Sequence, residues 1–226
     1  MQRQLHNADC FDIMAEMPDD SVDFVLTDIP YGECSGFNEG GLQKINRDAA
    51  DKDADGSEFD YIRYTAECMR ICKGNVIIFC GRKQISGIIT EMEKHDAKMI
   101  RLIIWDKPNS SPMNGQYFFL NTMEQAVGCR QTNSYWGGHC EHPLFVTPTR
   151  PIDIHDTAKP IDLFKRLIEL CCPPDGVVFD GCAGSFTTAV AATQCHRGYI
   201  CVEKNKEFYD KAMKYYDADL RQQVMF

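Results

Sequence analysis

Short apolar runs rich in β-branched residues alternate along the chain with stretches whose apolar positions recur every three or four residues. The first kind reads as buried strands and the second as amphipathic helices. Strands are expected over Gln2–His6, Val22–Thr27, Asn75–Phe79, Met99–Trp105, Thr122–Val127, Val177–Asp180 and Tyr199–Val202. Helices are expected over Cys10–Glu16, Phe59–Ile71, Arg82–His95, Pro160–Leu170, Phe186–Cys195 and Lys206–Tyr216. Gly74, behind the second helix, stands where a helix stop is expected. No repeat, low-complexity tract or Pro/Gly linker interrupts the alternation. It predicts one α/β domain over residues 1–226, a mostly parallel seven-stranded sheet flanked by helices. Residues 32–58 and 107–119 show no period, and long loops of this kind are usually functional or mobile.

Composition narrows the classes. The 226 residues are 44% hydrophobic and 25% charged, as in an average globular protein. Lys and Arg number 24 against 33 acids, a formal charge of −9. That balance argues against a protein that coats DNA generally, though a local basic groove on an acidic body stays open. The longest apolar runs are too short to span a bilayer, and the N-terminus carries no apolar signal segment, so a cytoplasmic protein is expected. Twelve cysteines then read as buried reduced thiols rather than a disulfide framework. Cys129, His139, Cys140 and His142 match no common zinc spacing, and no metal is expected.

Two stretches carry candidate chemistry. In the first, an apolar strand ends in Asp28-Ile29-Pro30-Tyr31. Pro30 keeps Ile29 out of the helical region. A strand end thus offers a carboxylate, a carbonyl and an aromatic face within four residues. Such a trio can grip a planar amine, two acceptors for two N–H donors with the ring stacked on Tyr31. An ordinary strand exit with a packed Tyr is the plain alternative. In the second, Gly176–Glu203, a buried strand leads into a Gly-containing loop, a small-residue helix and a second strand ending in Glu203. This is half of a nucleotide-binding α/β unit, with Glu203 at the position of a ribose-binding acid. Gly181 and Glu203 are 22 positions apart, near the roughly 20 expected of that partner. The loop is not G-x-G-x-x-G, which favours a nucleoside cofactor without a pyrophosphate.

Taken in order, these motifs resemble the permuted (β-group) DNA amino-methyltransferases that use S-adenosylmethionine. The family's D-P-P-Y tetrapeptide corresponds to Asp28-Ile29-Pro30-Tyr31. Its H-P-T-x-K-P segment corresponds to His155-Asp156-Thr157-Ala158-Lys159-Pro160. Its D-P-F-x-G-S-G-T-T loop corresponds to Asp180-Gly181-Cys182-Ala183-Gly184-Ser185-Phe186-Thr187-Thr188. The resemblance implies a Rossmann-like methyltransferase fold with a circularly permuted motif order, the opening strand lying beside the last βα unit. It implies cofactor contacts from Asp9, Cys10, Asp28, Thr157, Lys159, the loop residues Asp180 to Ser185, Thr187, Glu203 and Lys204. Asp9 would face the adenine of the cofactor, Thr157 and Lys159 its methionine end. Ile29 retains the backbone carbonyl that the family uses. Cys182 supplies less apolar surface than the family's Phe, and Phe186 is expected to compensate from the next turn.

The implied reaction is methyl transfer to the exocyclic N6 amine of an adenine flipped out of double-stranded DNA, with Asp28, Ile29, Pro30 and Tyr31 as catalytic residues. An Asp-first tetrapeptide points to adenine more than to the N4 amine of cytosine. A member that binds DNA or a partner without turnover is the non-enzymatic alternative. Residues 32–58 could follow the DNA, although seven acids there face only Lys44, Arg47 and Lys52. Lys107, Arg130, Arg150, Arg82 and Lys83 are other basic candidates. The resemblance leaves room for a homodimer and for a restriction-modification or phage setting.

Overall fold

The computed structural model describes residues 2–31, 59–109, 122–132, 134–149 and 159–224. Of the expected features, Thr157, the segment 32–58, residues 110–119 and Arg150 lie outside the described residues.

The described strands are β1 (Arg3–His6), β2 (Val22–Asp28), β3 (Cys72–Cys80), β4 (Lys98–Asp106), β5 (Met123–Arg130), β6 (Leu144–Val146), β7 (Val177–Asp180) and β8 (Gly198–Val202). They form one eight-stranded sheet in the order β1-β8-β7-β2-β3-β5-β4-β6. Only β5 runs against the rest. The expected seven strands are present, and three residues, Leu144–Val146, add a short edge strand beside β4. Its brevity and its half-exposed side chains leave no period to read. The helices are α1 (Cys10–Glu16), α2 (Tyr61–Ile71), α3 (Ile85–Lys94), α4 (Ile161–Cys171), α5 (Thr187–Gln194) and α6 (Lys206–Val224). α1, α2 and α3 cover one face of the sheet, α4, α5 and α6 the other. Strands β2, β3 and β8 are buried almost throughout, as expected of sheet strands covered on both sides. No described helix is long and apolar enough to cross a membrane.

The permuted order has its expected consequence. β1 pairs in parallel with β8, Arg3 opposite Tyr199 and His6 opposite Val202. β7 and β2 lie side by side, yet the chain leaves β7 toward β8 and leaves β2 toward β3. The strand order therefore reverses between them. Ligands of open α/β sheets bind at such a switch point, beyond the carboxyl ends of the strands.

Gly74 corrects one expectation. α2 ends at Ile71 and runs straight into β3, so Gly74 is a strand residue. A Cβ there would lie 2.0 Å from the Asp23 carbonyl oxygen; the glycine permits a close backbone approach instead of stopping a helix.

Candidate active site

Asp28 closes β2 and sits at the switch point beside Asp180, which closes β7. The turn after β2 is pinned from two sides. The Ile29 amide donates to the Phe79 carbonyl at 3.2 Å. Gln84, buried at the N-cap of α3, donates from Nε2 to the Pro30 carbonyl at 2.9 Å and accepts the Gly81 amide at 2.8 Å. This use of Gln84 starts α3 at Ile85, three residues later than the periodicity suggests.

Four further groups converge on Asp28. The Tyr31 hydroxyl reaches its Oδ1 at 2.8 Å. Lys159, buried just before α4, donates to its Oδ2 and pairs with Oε2 of Glu124 at 2.9 Å. Tyr31 also reaches that Glu124 oxygen at 3.1 Å. Glu124 Oε1 receives Lys107 at 2.9 Å. Glu124 belongs to the antiparallel strand β5, opposite Trp105, which is why a residue at the beginning of a strand lies at the same sheet edge as the parallel strands' ends. The rings of Tyr31, Phe79 and Trp105 lie within 6 Å of the Lys159 ammonium.

The charges are mutually compensating. Burial pushes Asp28 above the ordinary carboxylate range, with Glu124 adding to the rise against the pull of Lys159. Burial also opposes ionisation of Glu124, but Lys159 and Lys107 outweigh it and hold that carboxylate low. For Lys159 burial favours loss of the proton; Asp28 and Glu124 overcome it and keep the ammonium charged. Burial, then the two carboxylates, push the Tyr31 phenol well up, so it remains a neutral donor.

The second half of the site is the loop after β7. Asp180 is almost fully buried; it accepts the Cys182 amide at 3.1 Å and the Thr188 hydroxyl, and burial raises it to about 6. Ser185 and Thr187 are buried and bonded to each other at 3.0 Å. These three expected cofactor residues thus build the loop from behind. Gly181 donates its amide to the Tyr64 hydroxyl at 3.1 Å, and a Cβ there would fall 2.5 Å from that hydroxyl. Tyr64 fills the space that a side chain at the family's Pro position would need. Toward the opening stand Cys182, Gly184 and Glu203, with Ala183 mostly covered. Glu203 accepts the Gly184 amide at 2.9 Å and the Asn205 amide at 2.7 Å. Asp9 caps α1 through the Phe11 amide at 2.8 Å and pairs with Lys204 at 2.9 Å. Burial tends to raise Asp9, but Lys204 and the cap hold it below its ordinary value. Cys10 is buried, with its thiol beside that of Cys182.

Several expectations change. Phe186 does not reach toward a cofactor: it is fully buried and packs edge-on against Tyr209, centroids 5.4 Å apart. It caps α5 in the left-handed region, φ 61°, which turns its side chain into the core. Lys107 is not a loose surface cation, being tied to Glu124 and lying 5.5 Å from the Trp105 ring centroid. Arg130 bonds Ser134 at the opposite end of the strands, away from Asp28. Arg82 and Lys83 are exposed in the turn that follows the carboxyl end of β3. Of the four zinc candidates, Cys129 is buried against Met69 whereas Cys140 is exposed. Glu124 belongs to none of the sequence motifs.

A family profile described as "DNA methylase" matches residues 129–214. The chain is similar to Type II methyltransferase M2.MboI of Moraxella bovis, 23% identical over 94% of this chain and 86% of that protein. Among solved structures, the M1.HpyAVI–SAM complex superposes with a TM-score of 0.72 at 21% identity, over 94% of this chain and 98% of that one. The cytosine-N4-specific PvuII DNA methyltransferase superposes with a TM-score of 0.71 at 13% identity, over 98% and 93%. The switch point brings Asp28, Lys159 and the loop after β7 to one end of the sheet, and the chain is similar in sequence to DNA methyltransferases and shares their fold.

Proposed function

We propose that the chain methylates the exocyclic N6 amine of adenine in double-stranded DNA, with the target base flipped into the pocket beside Asp28. The observation that carries this reading is the Asp28–Tyr31 turn, locked by Gln84 and Phe79 at the switch point. An Asp-first tetrapeptide favours adenine. The N4 amine of cytosine is the second reading, favoured by the likeness in fold to the PvuII enzyme.

The loop fits S-adenosylmethionine. Gly184, at φ +48°, has no atom other than those of its chain neighbours within 4 Å of where a Cβ would stand, so space lies open in front of it. Glu203 accepts two backbone amides, which leaves lone pairs on its carboxylate for ribose hydroxyls. When bound, the cofactor supplies an electrophilic methyl group on a sulfonium. The chain supplies the rest. The adenine amine is a weak nucleophile because its lone pair is delocalised into the ring. Asp28 and the Ile29 carbonyl, accepting its two hydrogens, favour a pyramidal nitrogen and stabilise the positive charge that develops there. Tyr31 offers a stacking face, and the rigid turn holds the amine in line, where positioning accounts for much of the rate. The proton leaves after transfer, so Asp28 need not be a strong base.

The test is base-modification sequencing of DNA from cells expressing the chain, which reports base and motif together. Wild type is expected to mark adenines in one motif. Asp28→Ala is expected to erase the mark while cofactor affinity, measured by calorimetry, stays within about twofold. Marked cytosines would select the second reading, and no mark at all would remove the enzymatic one.

A further inference from the structure

Both oxygens of Asp28 are already engaged within the protein, Oδ1 by the Tyr31 hydroxyl at 2.8 Å and Oδ2 by the Lys159 ammonium. The carboxylate keeps further lone pairs, but the Lys159 charge on Oδ2 opposes the positive charge that develops on an amine bonded to Asp28, so Asp28 serves a target amine best once Lys159 moves away. Both donors have the same second acceptor. Glu124 Oε2 lies 3.1 Å from the Tyr31 hydroxyl and 2.9 Å from the Lys159 Nζ. The phenol has one hydrogen, which can go to either carboxylate. The ammonium has three and spans both.

We propose that Glu124 is a positioning residue of methyl transfer: it takes over Lys159 from Asp28 when the target amine enters, so that the ammonium acts as a stand-in for that amine in the free protein. This rests on the methyltransferase reading above.

The physical requirement is that no buried donor be abandoned during the exchange. Leaving an ammonium without an acceptor in a closed site costs far more than moving it between two carboxylates. Lys159 is almost fully buried, with aromatic rings of Tyr31, Phe79 and Trp105 around it, so water is a poor substitute. Lys107 holds the other oxygen of Glu124 at 2.9 Å and fixes that carboxylate in place. The four charged groups, Asp28, Glu124, Lys159 and Lys107, sum to zero. A neutral target amine changes none of them; what changes is which carboxylate Lys159 serves.

Two measurements test this. In a crystal structure of the wild-type chain with S-adenosylhomocysteine and its cognate duplex, Lys159 should lie beyond 3.5 Å from Asp28 and within hydrogen-bonding distance of Glu124. A ternary complex in which the target amine and Lys159 both bond Asp28 would overturn the proposal. Glu124→Gln, which keeps the shape but not the charge, should slow single-turnover transfer at least tenfold at saturating DNA, with cofactor affinity within about twofold. Glu124→Asp should recover part of the loss. An unchanged rate, or a loss that tracks cofactor affinity and melting temperature alone, would also overturn it. If Glu124→Gln does not fold, the wild-type complex still decides. Failure of wild type to methylate any DNA would instead refute the parent reading, whereas an active wild type that needs Asp28 but ignores Glu124 sinks this inference alone.

Discussion

Asp180 shows how far one residue's surroundings can depart from its place in a motif. As the first residue of the cofactor loop it looks like a ligand contact, yet both oxygens serve the loop itself. Burial raises its pKa to about 6 from an ordinary 3.8. The folded state therefore prefers the protonated acid, and this contribution to stability is present below about pH 4 and lost as pH rises to about 6. A rise of that size corresponds to roughly 3 kcal/mol at most. Asp28 and Glu203, also raised, act in the same sense, while Asp9 and Glu124 act in the opposite one. Asp180→Asn isolates the effect, because an amide can still accept from the Cys182 amide while the Thr188 hydroxyl turns to accept from it. Relative to wild type, the variant should gain stability as pH rises from 4 to 7, read from urea midpoints. A difference independent of pH would show that Asp180 titrates normally. The motif residues Asp28, Tyr31, Lys159 and Glu203 were legible in the sequence because their spacing repeats a family pattern. Glu124 was not, because its place in the site depends on β5 running antiparallel, and direction leaves no mark in a strand's own residues.

At the scale of elements, the start of α5 carries the clearest conflict between local preference and packing. Phe186 occupies a left-handed position, φ 61°, where the family pattern has glycine. A non-glycine residue there costs about 1–2 kcal/mol. Its ring is fully buried against Tyr209, and deleting a buried Phe side chain costs about 3–5 kcal/mol. Packing wins by these magnitudes, so Phe186→Gly should destabilise the chain by about 2 kcal/mol despite relieving the backbone. Chemical denaturation measures this directly, and a variant more stable than wild type would reverse the ranking. The sequence suggests a helix beginning at Phe186, within one residue of the observed start. It could not show the sign of φ, and that sign decides whether the ring faces the cofactor or the core. For the same reason the strands and helices were readable from their periods, whereas the three-residue β6 was too short to have one.

Across the whole molecule, the pairing of β1 with β8 has a consequence for how the chain acquires its shape. Asn7 donates to the Glu203 carbonyl, a partner 196 positions away. β1 and β2 are consecutive in the chain but separated in the sheet by β8 and β7. A nascent chain that has emerged only through β6 therefore holds β2, β3, β5 and β4 in contact order, with β2 presenting an open edge and β1 having no neighbour. The last strands made must slide into a slot two strands wide. Long-range pairings of this kind form slowly, and unpaired strand edges invite association with other chains while they wait. The cofactor loop and Glu203 ride on those late strands, so the site is the last part to be assembled. A chain cut after Cys172 should lack cooperative unfolding and should aggregate, yet regain a folded sheet when residues 173–226 are supplied as a separate polypeptide. Failure of the two pieces to associate, or a cooperative transition from the first alone, would contradict this order. The slot makes the two halves of the site inseparable: a chain that has emerged only through β6 has Asp28 but neither Asp180 nor Glu203 beside it, and under the proposed function it would leave DNA unmarked.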